Sequence, residues 1–249
     1  MEQVTQSSGS GAAFFDIDGT LLAKPALERR FFRELHWRRE IPGENYFRWL
    51  SEFLRLAPRD ISAALHANKM YLRGVPAEIA FARGANQRCG RAGRWLPEFF
   101  PAAIQRVWWH ALRGDAIVLV SGTLAPLAEI VGFALERELL RRGVEATISV
   151  ISTQLEIRDK HWTGRVANTP MFGEAKAFAI KEFAGERGIE LKQCSAYGDS
   201  SLDRWMLASV GHPFAINPTR RMRLIANSHA WRMLSWTSRT RELPANNEI

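Results

Sequence analysis

The stretch Ala12-Ala13-Phe14-Phe15-Asp16-Ile17-Asp18-Gly19-Thr20-Leu21-Leu22 constrains this chain most, because an apolar run ends abruptly in two carboxylates one residue apart. Alternation in a strand sends both Asp side chains to the same side of the backbone, and Gly19 permits a sharp turn immediately after them. Like charges at the end of a buried strand repel, so they call for a metal ion or shared protons. Alone, Asp-Ile-Asp-Gly-Thr reads equally well as a polar strand-to-loop turn.

The interval Ala23 to Arg113 is too long for an ordinary crossover and carries helical periodicity of its own. Leu27, Phe31 and Leu35 recur on one face; so do Tyr46, Trp49, Leu50 and Phe53, and then Ile61, Ala64, Leu65 and Leu72. Pro42-Gly43, Pro58 and Pro76 punctuate them, and the basic segment Arg88 to Arg94 marks the approach to the return crossing. A helix with Ile104, Val107, Trp108 and Leu112 leads back to the core.

From Asp115 onward, short apolar runs alternate with helical segments, which favours a parallel sheet covered by helices. The runs are Ala116 to Val120, Ala146 to Val150, Gln193 to Tyr197 and Pro213 to Ile216. Helices fit Leu124 to Leu140, Glu174 to Arg187, Ser201 to Ala208 and Arg220 to Ser228, and a β-hairpin fits Thr153 to Val166. The expected division is a core of residues 12–22 and 112–238, an inserted helical segment 23–111, a disordered tail 1–11 and a mobile tail 239–249.

The formal net charge of +8 resides wholly in Leu21 to His110. Such an excess can attract an anionic substrate, nucleic acid or a membrane surface, or be a plain solvated face. Cys89 and Cys194 match no metal-ligand spacing, and a reducing, cytoplasmic setting is the expectation. Residues 1–11 have neither the charge nor the apolar run of a signal peptide, and no transmembrane segment is expected. The aromatics, Trp108-Trp109 included, read as core, and the six histidines show no ligand spacing.

In an open parallel α/β sheet, ligands gather beyond the carboxyl ends of the strands. There the chain places Asp16 and Asp18, then Ser121-Gly122-Thr123, then Gly198-Asp199-Ser200-Ser201-Leu202-Asp203, with Lys176 near the start of another helix. Singly, Ser121 reads as a helix cap, Lys176 as a solvated lysine, Asp199 as an N-cap and Asp203 as a surface partner of Arg204. Together they supply what a magnesium-assisted phosphoryl transfer needs.

These four segments, completed by Gly173-Glu174-Ala175-Lys176, resemble the motifs of the haloacid dehalogenase (HAD) superfamily in the family's order. The insert between the first two motifs resembles the α-helical, C1-type cap of subfamily IB, which includes phosphoserine phosphatase-like enzymes. The resemblance implies an α/β, Rossmann-like parallel sheet with this cap, and a Mg2+-dependent phosphatase acting on a small phosphorylated substrate. It also implies Asp16 as nucleophile, Asp18 as acid and base, and magnesium on Asp16, the Asp18 carbonyl and Asp199. Ser121, Gly122 and Lys176 grip phosphate, with Thr20 and Asp203 in support; Asp203 is placed one helical turn after Asp199.

Pro25 stands where phosphoserine phosphatases place an acidic residue, with Glu28 three further on, and Leu202 replaces their Asn. The Arg-rich insert suggests a more anionic substrate or a lipid phosphate. Phosphoryl transfer to an alcohol is one alternative; the other is a protein that binds anionic membrane or nucleic acid through its basic segment. Under the phosphatase reading nucleic acid is not expected as a partner, and peripheral membrane contact and oligomeric state stay open.

Overall fold

The computed structural model describes residues 11–59, 61–80 and 98–238. The expectations for the two tails and for Arg88 to Arg94 therefore lie outside the described residues, apart from Gly11.

Six parallel strands form one sheet. They are β1 (Ala12–Phe15), β2 (Ala116–Leu124), β3 (Ile148–Thr153), β6 (Ser195–Gly198), β7 (His212–Ile216) and β8 (Arg232–Leu234), in the spatial order β3-β2-β1-β6-β7-β8. Two further strands, β4 (Leu155–Arg158) and β5 (His161–Val166), make an antiparallel hairpin. Central β1 has no polar side chain, as a strand covered on both faces requires. Alternation sends Ala13 and Phe15 into one apolar cluster and Ala12 and Phe14 into the other. The reversal of strand order lies at β1, flanked by β2 and β6. The carboxyl ends of those three strands therefore open onto one crevice.

Leu27, Phe31 and Leu35 are buried along α1 (Leu27–Trp37), as their spacing predicts. In α2 (Glu44–Leu56) the expected apolar face is only partly covered: Tyr46 is 37% and Leu50 48% exposed, while Trp49 and Phe53 are half-buried. The buried residue is Asn45, whose amide donates to the carbonyls of Tyr71 and Arg73 at 3.1 and 2.7 Å. Ile61 and Leu65, on α3 (Ile61–His66), are likewise exposed, whereas Leu72 is buried in a 3-10 turn.

The hairpin completes this inserted region. Its turn residues Asp159 and Lys160 both have positive φ, at 50° and 65°, which suits a two-residue turn. Gly74 and Val75 exchange backbone bonds with Trp162 at 2.8 and 3.0 Å, and Phe31 meets the Trp162 ring edge-on. Helix α4 (Pro101–Leu112), assigned from sequence to the insert as far as residue 111, lies instead against the sheet. Its Ala103, Ile104 and Val107 join the cluster of Phe15 and Leu119. The insert's outgoing and returning strands meet side by side, where Leu22 bridges Phe99 and Phe100 N donates to Leu21 O at 3.0 Å.

Among the described residues the remaining α-helices are α5 (Ala125–Arg141), α6 (Glu174–Glu186), α7 (Arg204–Ala208) and α8 (Arg220–Ser228). Among the described residues no helix is long and apolar enough to cross a membrane.

On α4, buried His110 lies between Asp115 (Nδ1, 2.8 Å) and the Tyr197 hydroxyl (Nε2, 2.8 Å). Burial lowers the His110 pKa despite the Asp115 carboxylate, while Arg106 and Arg113 push it the same way as burial. The unfolded chain takes up a proton below the ordinary His value of about 6.5, which the folded state resists. This contribution to stability is thus present above that value and lost as pH falls below it. Urea titrations should show the His110→Gln variant losing less stability than the parent on going from about pH 7 to about pH 5.5; an unchanged slope would contradict this.

Candidate active site

The turn after β1 places the first two carboxylates in different surroundings. Asp16 N donates to Tyr197 O at 2.9 Å, which ties the strand end to β6. The Asp16 side chain is buried, and its Oδ1 accepts from Lys176 Nζ at 2.6 Å. Asp18 turns elsewhere: its Oδ1 accepts from Leu27 N at 2.7 Å and its Oδ2 from Thr123 Oγ1 at 2.6 Å. Gly19 has φ of 93°, and a Cβ there would stand 2.5 Å from Asp199 Oδ2, so both backbone conformation and space demand glycine.

Lys176 lies in the first turn of α6, after Gly173 with its φ of 59°. Its ammonium is buried between Asp16 and Asp203, with Oδ1 of each at 2.6 Å. Asp203 is not one helical turn beyond Asp199 as expected, because 200–203 form a tight turn that precedes α7. Asp203 N donates to Ser200 O at 2.9 Å, and Ser200 N and Oγ both donate back to Asp203 Oδ2 at 3.0 Å. Both Asp203 oxygens are thereby engaged, which makes this residue the anchor of Lys176.

Ligand oxygens of Asp16, Asp199 and Asp203 all lie within 4.8 Å of one another, and all three residues are buried. One buried ammonium cannot neutralise three carboxylates. Burial raises the Asp16 pKa well above the ordinary value, with Asp203, Asp199 and Asp18 adding to the rise and Lys176 opposing it. Burial and Asp203 push Asp199 up to about 6. Burial pulls Lys176 down, but Asp16 and Asp203 more than compensate, so its ammonium stays charged. The site is short of positive charge.

One residue missed from sequence partly meets this deficit. Lys24, 55% exposed, brings its ammonium to 2.5 Å from Asp199 Oδ2, without forming a well-aligned hydrogen bond there. An exposed lysine in a loop leaves no periodic trace, so only its nearness to the first motif could have flagged it. Thr20 is fully buried, and its hydroxyl has no hydrogen-bond partner among the described residues.

Ser121 and Gly122 lie where β2 departs from its register with β3. Ser121 Oγ accepts from Thr123 N at 3.2 Å, a local bond that holds the turn open. A Cβ on Gly122 would stand 1.9 Å from Phe172 Cε1, so the loop depends on this close approach. Phe172 in turn packs on the His66 ring of α3, with centroids 4.5 Å apart. Gly122→Ala should lower thermal stability by about 1–3 kcal/mol through overpacking and reduce turnover; adding Phe172→Ala should restore part of the stability. A Gly122→Ala variant as stable as the parent would contradict this packing.

The model of the haloacid dehalogenase-like hydrolase family matches residues 13–208, which span all four motifs. The chain belongs to this family. A probable phosphatase of Mycobacterium tuberculosis is 32% identical over 91% of this chain and 75% of its own length. A phosphoserine phosphatase of the same organism is 28% identical over 89% and 70% respectively. The solved structure of a Bordetella pertussis protein of unknown function superposes with a TM-score of 0.67 at 26% identity, covering 90% of this chain and 97% of that one. As a HAD hydrolase the chain is an enzyme of the phosphatase type, on the Rossmann-like parallel sheet described above.

The residues present fit the divalent cation that HAD phosphatases generally use. Asp16 keeps Oδ2 after Lys176 has taken Oδ1, and among the described residues the buried Asp199 Oδ2 is met only by the ammonium of the exposed Lys24, which a cation can displace. Oxygen ligands in a site short of positive charge suit a hard cation such as magnesium.

Proposed function

We propose that this HAD hydrolase removes phosphate from a small phosphate monoester through a covalent phosphoryl group on Asp16, with magnesium held by Asp16, the Asp18 carbonyl and Asp199. The observation that carries the reading is the contrast between the two carboxylates of the first motif. Lys176 grips Asp16 and leaves one oxygen open, whereas Thr123 and Leu27 hold Asp18. Magnesium would neutralise the phosphate and the carboxylates beside it.

Asp16 attacks phosphorus and forms a new oxygen–phosphorus bond as the ester oxygen departs. Asp18 delivers its proton to that oxygen, so the alcohol leaves neutral. Burial raises the Asp18 pKa more than its two donors, Thr123 and Leu27, lower it, which favours the protonated form this step requires. Asp18 then takes a proton from water as the water attacks phosphorus, and the Asp16–phosphorus bond breaks to release inorganic phosphate. Splitting the displacement into two steps is what a nucleophilic carboxylate contributes. Ser121, the Gly122 amide and Lys176 bind the phosphoryl oxygens, with Thr20 and Asp203 in support. The part of the insert that precedes α4 acts as a helical cap over the site and excludes water.

Phosphate release from a panel of phosphorylated metabolites, measured with magnesium and again with chelator, tests the reading. Magnesium-dependent release from at least one monoester is expected. Failure across the panel, or release indifferent to chelator, would refute it.

A further inference from the structure

The insert carries an open cavity of about 540 Å³, lined by Ala26, Glu28, Arg29, Phe32, Tyr46, Trp49, Leu65, His66, Lys69 and Tyr71. It adjoins the site from two sides. Ala26 and Glu28 flank Leu27, whose amide holds Asp18, and His66 packs on the Phe172 ring that covers Gly122. A leaving alcohol that receives its proton from Asp18 therefore has this cavity next to it.

Glu28, the one carboxylate of the lining, is already engaged. Lys69 Nζ and the Tyr71 hydroxyl both bond to Glu28 Oε1 at 2.6 Å, so the carboxylate already has its cation and a second donor. Burial and Glu28 hold the Tyr71 pKa far above its ordinary value, which keeps that hydroxyl a donor. One arginine of the insert, Arg29, lines the cavity, and others are engaged away from it. Arg38, Arg48 and Arg55 pair with Glu34, Glu44 and Glu52, and Arg30 donates to the carbonyls of Ala23, Lys24 and Pro25. What the cavity offers is aromatic surface held in place by its neighbours. The Phe32 and Tyr71 rings meet edge-on at 5.2 Å, Trp49 stacks on Phe53 at 5.4 Å, and the Tyr46 hydroxyl lies 2.6 Å from His36 Nδ1. Its volume is that of a pocket for a ring-bearing ligand and far exceeds what a serine side chain fills.

We propose that the leaving group of the substrate carries a flat aromatic or heteroaromatic ring, seated among Phe32, Tyr46 and Trp49 beside the Glu28–Lys69 pair. The inference rests on the phosphatase reading for its phosphoryl end. The aromatic end stands on the cavity alone. Rings gain beyond simple burial from edge-on and stacked contacts, which a saturated ring cannot reproduce.

Binding separates the two claims. The Asp16→Asn protein with magnesium is titrated calorimetrically with three esters that share one phosphate: 2-phenylethyl phosphate, 2-cyclohexylethyl phosphate and O-phosphoserine. The phenyl ester should bind about tenfold or more tighter than phosphoserine and several-fold tighter than the cyclohexyl ester. Adding Trp49→Ala should shrink both ratios. Equal affinity for phenyl and cyclohexyl esters, or a preference for phosphoserine, would overturn the aromatic assignment. Turnover by the parent enzyme is scored separately: a phenyl preference in binding with no monoester hydrolysed, among these three or across the metabolite panel, would refute the phosphatase reading and leave the cavity's assignment standing.

Discussion

Replacing Asp16 by Asn is expected to abolish magnesium-dependent hydrolysis, lowering kcat by roughly ten-thousandfold or more, as loss of a covalent nucleophile does in other enzymes. The amide has the size of the carboxylate but is a far weaker nucleophile. The fold should survive the change. Asp16 shares one ammonium with Asp203 in a cluster that also holds Asp199, so removing a charge relieves repulsion as well as ending an ion pair. Thermal unfolding should therefore show the variant no less stable than the parent in the presence of chelator. Retained turnover would place the nucleophile elsewhere, and a collapse of stability would contradict the repulsion within the carboxylate cluster.

Lys176→Met is expected to combine a catalytic with a structural loss. The ammonium is buried between two carboxylates at 2.6 Å each, and a thioether would leave both without a cation. Breaking a buried ion pair on one side costs about 3–5 kcal/mol, and removing one electrostatic donor costs about a hundredfold or more in kcat. The folded-state pKa of Lys176 lies above its ordinary value of about 10.4, so its contribution is complete at neutral pH and lost only on strong alkalinisation. In the variant the stranded carboxylates can be relieved by protons or by a cation. Its deficit in urea titrations should be largest near neutral pH with chelator, and should narrow on acidification or on adding magnesium. A variant as stable as the parent would contradict the role of Lys176 as the anchor between Asp16 and Asp203.

The meeting of Asp16, Lys176 and Asp199 was legible in the sequence because each follows an apolar strand or opens a helix. The carboxyl ends of parallel strands share one side of a sheet, so placing the strands places the residues after them. What was not legible depends on what covers a face. Periodicity marks Tyr46, Trp49, Leu50 and Phe53 as one side of a helix, but it does not show that Leu50 is half-exposed, that Trp49 lines a cavity, or that Asn45 is the buried anchor. The hairpin was recognisable from its own residues, whereas its docking on Gly74 and Val75 joins segments far apart in the chain. Strand β8, short and mostly exposed at the sheet edge, has too little apolar pattern to stand out. Asp203 and Lys24 act through a turn and a loop, where the geometry of the folded backbone decides which atoms meet.

The central claim is a covalent phosphoryl group on Asp16, and chemical trapping tests it most directly. The enzyme is mixed with magnesium and a turned-over monoester, quenched in acid during the steady state, and treated with borohydride, which reduces an acyl phosphate to an alcohol. Peptide mass spectrometry is then expected to find the Asp16 side chain reduced to homoserine, dependent on substrate and magnesium, with Asp18 and Asp199 unchanged. Phosphate release under the same conditions with Asp16 unmodified, or reduction at a different carboxylate, would contradict the account.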